Sequence, residues 1–180
     1  MTTHWEWVNP FGATKFYFPF SSTLGAMDIN DYAREYEAST QFFTDCVKAL
    51  SSADLDRHQP EGWSPRQVIH HLADSEAQSY ARLRRLIAEP LGSLIQGFDE
   101  SGWAVNKTLG YQELPIENSL AVYSSVRAAS LEVIRRLTLE DLDRYGEHSV
   151  RGKLTISDWL RAYSKHPRDH AGQITEALAK

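Results

Sequence analysis

The sequence predicts an all-α protein, a four-helix bundle over residues 28–180 preceded by an extended aromatic arm over residues 1–27. Apolar residues recur at helical spacing in four separate windows, and two of these windows open on strong capping signals. Two similar acidic segments, Ala53-Asp54-Leu55-Asp56-Arg57 and Glu140-Asp141-Leu142-Asp143-Arg144, follow the first and third windows. Helix, acidic turn, loop, helix, repeated twice, suggests two helical hairpins that share one core.

The arm carries Trp5, Trp7, Phe11, Phe16, Tyr17, Phe18 and Phe20 with Pro10, Gly12 and Pro19, without sustained helical spacing. Such rings need cover, either on the arm's own bundle or on a second subunit. Asp28 caps a first helix to about Leu50, with Ile29, Tyr32, Tyr36, Phe43, Val47 and Leu50 near helical spacing. Ser64-Pro65-Arg66-Gln67 is a stronger start. Ser64 can cap, proline suits the first helical position, Gln67 can reach back, and Trp63 can staple onto Val68. The second helix then runs from Pro65 to about Ala88, before Pro90. Leu91 to Leu114, with four glycines, is a long connection of the kind that often carries function. The third helix spans about Ile116 to Leu137. Thr155 and Asp158 form a further capping box, stapled by Leu154 and Trp159, for a fourth helix to about Leu178.

A length of 180 residues with 42 % hydrophobic residues suits one domain with a sizeable core. The net charge of -5 argues against nucleic acid and leaves small molecules or proteins as the expected partners, a small-molecule substrate among them. The single cysteine, Cys46, cannot form an internal disulfide, and no charged segment followed by an apolar stretch opens the chain, which is the reading of a cytoplasmic protein. No apolar run approaches the roughly 20 residues that cross a bilayer.

His166 and His170 are four residues apart, so on a helix they share a face one turn apart. Trp159, Tyr163, Ile174 and Ala177 define the inward stripe of that helix, and both histidines project within it. Buried imidazoles need partners for their ring nitrogens. A metal ion with hydrogen-bond acceptors behind it is one source, and a hydrogen-bonded polar pair is the other. Pro167 lacks the N–H that would bond the carbonyl of Tyr163, so the helix opens there. A third imidazole comes from His70-His71 on the second helix, where periodicity alone does not choose. His70 shares its side with Arg66, Asp74, Ala77 and Arg84, an outward-looking set, whereas His71 lies beside Ser64, Ser75 and Gln78, which favours His71. Three neutral imidazoles leave an open position on a tetrahedral ion, the arrangement of a catalytic site. Zn²⁺ is the default ion, with Ni²⁺, Fe²⁺ and Mn²⁺ compatible.

Residues 63–75, Trp-Ser-Pro-Arg-Gln-Val-Ile-His-His-Leu-Ala-Asp-Ser, resemble the second helix of the DinB/YfiT-like superfamily, and residues 166–174, His-Pro-Arg-Asp-His-Ala-Gly-Gln-Ile, resemble its last. Phe98-Asp99-Glu100-Ser101-Gly102-Trp103 is similar to the loop of the YfiT branch. The resemblance covers residues 28–178. It implies an up-down-down-up bundle, often a homodimer, with one divalent metal, Zn or Ni, held by His71, His166 and His170. It also implies an enzyme that transfers a low-molecular-weight thiol cosubstrate to an electrophile, with a metal-dependent hydrolase as the alternative and a non-catalytic metal-binding or stress-related module as the second. Glu76, Asp169 and Gln173 stand where close relatives often carry further histidines.

Asp74, one turn beyond His71, is the candidate catalytic residue, weighed against an ordinary solvated carboxylate. Asp169 is expected to face outward, Gln173 to hydrogen-bond in the pocket, and Asp99 and Trp103 to belong to a covering loop. His4, His58 and His148 read as surface histidines. Arg82, Arg84 and Arg85 read as a solvated basic face rather than an anion site, and Cys46 as packing.

Overall fold

A computed structural model describes residues 28–179. The arm expected over residues 1–27 lies outside the described residues. Helix α1 spans Ile29–Lys48, α2 Pro65–Ala88, α3 Glu100–Val105, α4 Glu117–Ile134 and α5 Ile156–Ala177. Reciprocal capping boxes open three of them: Asp28 with Asp31, Ser64 with Gln67, and Thr155 with Asp158. In each, the cap side chain and the third helical residue satisfy one another's backbone N–H, which is why these starts were legible to the residue.

A small sheet joins the helices: β1 Leu94–Ile95 pairs in parallel with β2 Tyr145–His148, which pairs antiparallel with β3 Gly152–Thr155. The all-helical expectation missed it because these strands are too short for a period-2 signal. Gly146 is required where β1 meets β2, since a Cβ there would lie 2.6 Å from Ile95 Cγ1 and 2.7 Å from the carbonyl oxygen of Ser93.

The long helices are not paired as two hairpins. Helix α1 packs on α5 and α4, and α2 packs on α4 and α5, so helices consecutive in each half stand diagonally across the bundle. The repeated acidic segments serve this arrangement. Asp54 accepts the backbone N–H of Ser51, as Asp141 accepts that of Thr138. The arginine that follows then reaches a helix C-terminus: Arg57 donates to the carbonyl of Leu178 beyond α5, and Arg144 to the carbonyls of Leu86 and Glu89 at the end of α2. Cations there meet the unpaired carbonyls of the last turn.

The four helices do not share one apolar core. One cluster gathers Tyr36, Leu83, Leu86, Ile134, Ile156 and Trp159, and another gathers Phe43, Val68, Leu72, Tyr123, Ala171 and Ile174. On every long helix the two sets are separated in sequence by buried polar residues: Ser39 on α1, Ser75, Glu76 and Ser79 on α2, Arg127 and Ser130 on α4, and Ser164 and His170 on α5. A polar belt therefore crosses the middle of the bundle. Trp159 anchors one side of it, fully buried, stacked on Tyr36 at 5.7 Å and donating to the carbonyl of Ser79. Truncating such a ring typically costs about 3–5 kcal/mol.

Candidate metal centre

Because α5 packs between α1 and α2, it carries His166 and His170 against His71 of α2. The His71 ring centroid lies 4.7 Å from that of His170 and 5.7 Å from that of His166. His166 Nε2 and His170 Nε2 are 3.0 Å apart. One ring nitrogen from each of the three lies within 4.8 Å of the others. The trio expected from sequence thus converges in the bundle.

The protonation of these rings suits a cation. Burial, and then the neighbouring His166, push the His71 imidazole down to about 3, and burial with its two histidine neighbours holds His170 well below the usual histidine range. Both are neutral at physiological pH. Gln173 Oε1 sits 2.8 Å from His170 Nδ1, which places the proton on that nitrogen and leaves Nε2 as an acceptor facing His166. Neither ring nitrogen of His71 has a hydrogen bond among the described residues, although the side chain is 1 % exposed. An imidazole buried so completely with both nitrogens unsatisfied is costly. A divalent ion accepting a lone pair from each of the three imidazoles resolves that cost, so the donor set fits a metal.

His70 is not the outward residue that its neighbours suggested. It is 5 % exposed, its Nε2–H donates to the carbonyl of Leu114, and its Nδ1 accepts from the Ser119 hydroxyl. The supposed outer stripe of α2 is the seat of the long connection. Arg66 donates to the same Leu114 carbonyl, and Asp74 accepts from the Tyr111 hydroxyl at 2.5 Å. Asp74 therefore meets the connection rather than the three rings.

The connection brings Glu100 to the trio at His71, with Oε2 4.0 Å from His71 Nε2. Local chemistry fixes this placement. Asp99 caps α3 by accepting the Gly102 N–H at 2.9 Å, a Cβ on Gly102 would collide with that carboxylate, and the Phe98 and Trp103 rings pack at 4.8 Å. Trp63 closes another side, 5.0 Å from the His71 ring.

Behind the trio lies a feature the sequence reading missed. Arg127 is buried and donates through all three guanidinium nitrogens, to Thr40 Oγ1, Ser39 Oγ and the carbonyl of Tyr36 on α1, to Glu76 Oε1 on α2, and to the carbonyl of Tyr163 on α5. Glu76 Oε1 is in turn 3.8 Å from His166 Nδ1. The available signal was the α4 stripe, where Tyr123, Arg127, Ser130 and Ile134 follow core spacing with a cation inside it.

The remaining expectations divide. Asp169 is exposed and paired with Lys165, and Cys46 is half-buried with its thiol pushed up by burial. His58 is exposed. His148 is buried instead, its Nδ1 accepting the N–H groups of Val150 and Arg151 in the β2–β3 turn. The three arginines do not form one solvated face. Arg82 is buried, donating to the Tyr163 hydroxyl and the Gln96 carbonyl, while Arg84 stacks on Tyr80 and Arg85 pairs with Glu89 at the surface. His4 lies outside the described residues.

The family profile described as the DinB superfamily matches residues 35–174. The chain belongs to the DinB superfamily. A protein of Oceanobacillus iheyensis named "Putative metal-dependent hydrolase" is 32 % identical over 88 % of this DinB-superfamily chain and 90 % of its own length. One of the same name from Bacillus cereus is 28 % identical over 88 % of this chain and 90 % of its own. Among solved structures, YfiT from Bacillus subtilis, described as a probable metal-dependent hydrolase with an unusual four-helix bundle topology, superposes with a TM-score of 0.75 at 26 % identity, covering 89 % of this chain and 91 % of its own. The two chains thus share one fold over most of both their lengths. No described helix is long and apolar enough to cross a membrane.

Proposed function

We propose that this DinB-superfamily protein is a metal-dependent hydrolase in which His71, His166 and His170 hold one divalent ion, Zn²⁺ or Ni²⁺, and Glu100 handles the proton. The observation that carries the reading is His71, buried with no hydrogen bond to either ring nitrogen among the described residues and set against two further imidazoles. The names of the relatives support hydrolysis ahead of thiol transfer.

When bound, such an ion polarises a carbonyl oxygen and lowers the pKa of a water in its shell to about 7 in favourable cases. The protein supplies the rest. Glu100 Oε2 lies 4.0 Å from His71 Nε2 and is not one of the three groups that lie mutually within 4.8 Å, so in this reading it stands beside the ligand set without joining it. Its side chain is 32 % exposed, so this carboxylate is open to solvent. In this reading Oε2 takes the proton of the attacking water as the new C–O bond forms, and passes it to the leaving nitrogen or oxygen as the acyl bond breaks. Asp74 holds Tyr111, which stands within the electrostatic reach of Glu100, and acts as a positioning residue for this wall of the site.

The test begins with elemental analysis of the purified protein and of His166→Ala, expecting near-stoichiometric metal in the first and little in the second. A panel of activated esters and anilides, assayed with and without added thiol, then expects turnover without thiol that chelation removes. Equal metal in both proteins would end the site assignment, and turnover only with thiol would move the reaction to thiol transfer.

A further inference from the structure

We infer that Glu76, clamped by Arg127, is a positioning residue that holds the Nδ1–H of His166 and so presents its Nε2 to the ion; this rests on the proposed metal site. Metal-ligating histidines generally donate their second ring N–H to a fixed acceptor, which sets tautomer and ring orientation. For His170 the acceptor is Gln173 Oε1 at 2.8 Å. For His166 the buried Nδ1 has no hydrogen-bond partner among the described residues, and the charged acceptor beside it is the Glu76 carboxylate oxygen at 3.8 Å.

The carboxylate is there because of a chain of local necessities that begins with a proline. Pro167 follows His166 directly and has no N–H for the carbonyl of Tyr163 four residues back. A buried carbonyl left so must find another donor. Arg127 supplies it at 2.7 Å, and with a side-chain exposure of 0 % the guanidinium requires a counter-ion. Glu76, 1 % exposed, meets it at 3.1 Å through Oε1, the same oxygen that faces His166. The missing donor in α5, the buried cation and the buried anion thus form one connected series ending on a ring nitrogen.

Its product is a pair of imidazoles with both protons directed outward, one to Gln173 and one to Glu76. With no ion bound, His166 Nε2–H donates to His170 Nε2 at 3.0 Å; moving that proton to His166 Nδ1, against Glu76, turns both Nε2 lone pairs toward a cation. Glu76 also places a negative charge behind His166, which raises that ligand's basicity toward the metal.

Co²⁺ and Zn²⁺ affinities, measured by competition with a chelating indicator, test this, with the cobalt absorption spectrum as a second readout. The variants are Glu76→Gln, which keeps size and an acceptor, and Glu76→Leu combined with Arg127→Met, which removes both charges so that neither is stranded. The double variant, confirmed as folded by far-ultraviolet circular dichroism, is expected to bind both ions roughly 10- to 100-fold more weakly with a shifted cobalt spectrum. Glu76→Gln falls between it and the wild type. A purely structural ion pair would move the unfolding midpoint and leave affinity and spectrum alone. Wild-type affinity and spectrum in the double variant would overturn the role of Glu76 while leaving the histidine site standing. Failure of the wild type to bind either ion, or unchanged binding by His166→Ala, would overturn both.

Discussion

Arg127 donates a hydrogen bond to the carbonyl oxygen of Tyr163, the acceptor that Pro167 leaves without its helical partner. A guanidinium from α4 thereby replaces the one hydrogen bond that Pro167 removes from a helix that otherwise runs unbroken, and its remaining donors reach α1 and α2. All four long helices meet at one side chain.

Arg127→Met alone is expected to destabilise the fold by about 3–5 kcal/mol, because it strands a buried Glu76 carboxylate together with several unpaired acceptors. Adding Glu76→Leu removes the stranded charge and is expected to restore much of that loss. Urea unfolding of the two variants decides; a double variant less stable than Arg127→Met would show that the pair's value is not the avoidance of a lone charge.

Both ring nitrogens of His71 are buried without a hydrogen bond among the described residues, so His71→Leu is expected to leave the metal-free protein as stable as the wild type or more so. It is also expected to abolish metal-dependent stabilisation, which in the wild type reaches about 2.7 kcal/mol at a free ion concentration 100 times the Kd. His70→Leu behaves in the opposite way. It loses the bonds to Ser119 and Leu114 and destabilises the fold, yet keeps the metal. Thermal melts with and without Zn²⁺ separate the two neighbours.

Glu100→Gln is expected to lower turnover by roughly 10²–10⁴-fold while metal content stays at the wild-type level. Kinetics paired with elemental analysis checks this. A parallel loss of metal would make Glu100 a ligand instead of a proton acceptor.

Acid sensitivity follows from three depressed histidines. His148 is pushed down to about 4 by burial and by Arg82 and Arg151, His71 to about 3, and His170 lies well below its ordinary value. Each binds a proton more readily unfolded than folded, so its stabilising contribution is complete above the ordinary histidine value near 6.5 and is lost as pH falls toward the folded value. The metal-free protein is expected to lose stability steadily from pH 6.5 to 4. His148→Gln should reduce that slope by up to one proton. An unchanged slope in denaturant titrations across this window would show that His148 is protonated alike in both states.

The helix starts were legible because Asp28, Ser64 and Thr155 each meet their partner within three residues, a relationship local in sequence. His166 and His170 were legible for the same reason, being one turn apart on a stripe marked by Trp159 and Ile174. What failed depended on contacts between distant segments. His70 faces inward only because residues 111–119 fold back onto α2, and no periodicity in α2 reports a loop forty residues away. Likewise the diagonal helix order is set by packing, and Arg127 and Glu76 are charged residues at core positions whose sense appears only once four helices surround them.

The three imidazoles stand on helices of 24 and 22 residues braced across the bundle, whereas Glu100 stands on a helix of 6 inside a connection tied down mainly by side chains of α2. Foundation and roof are therefore separable parts. Replacing the roof with a segment of another length would leave the three imidazoles where they stand and exchange the carboxylate beside them, so a lineage built on this frame can vary one surface stretch without rebuilding the bundle.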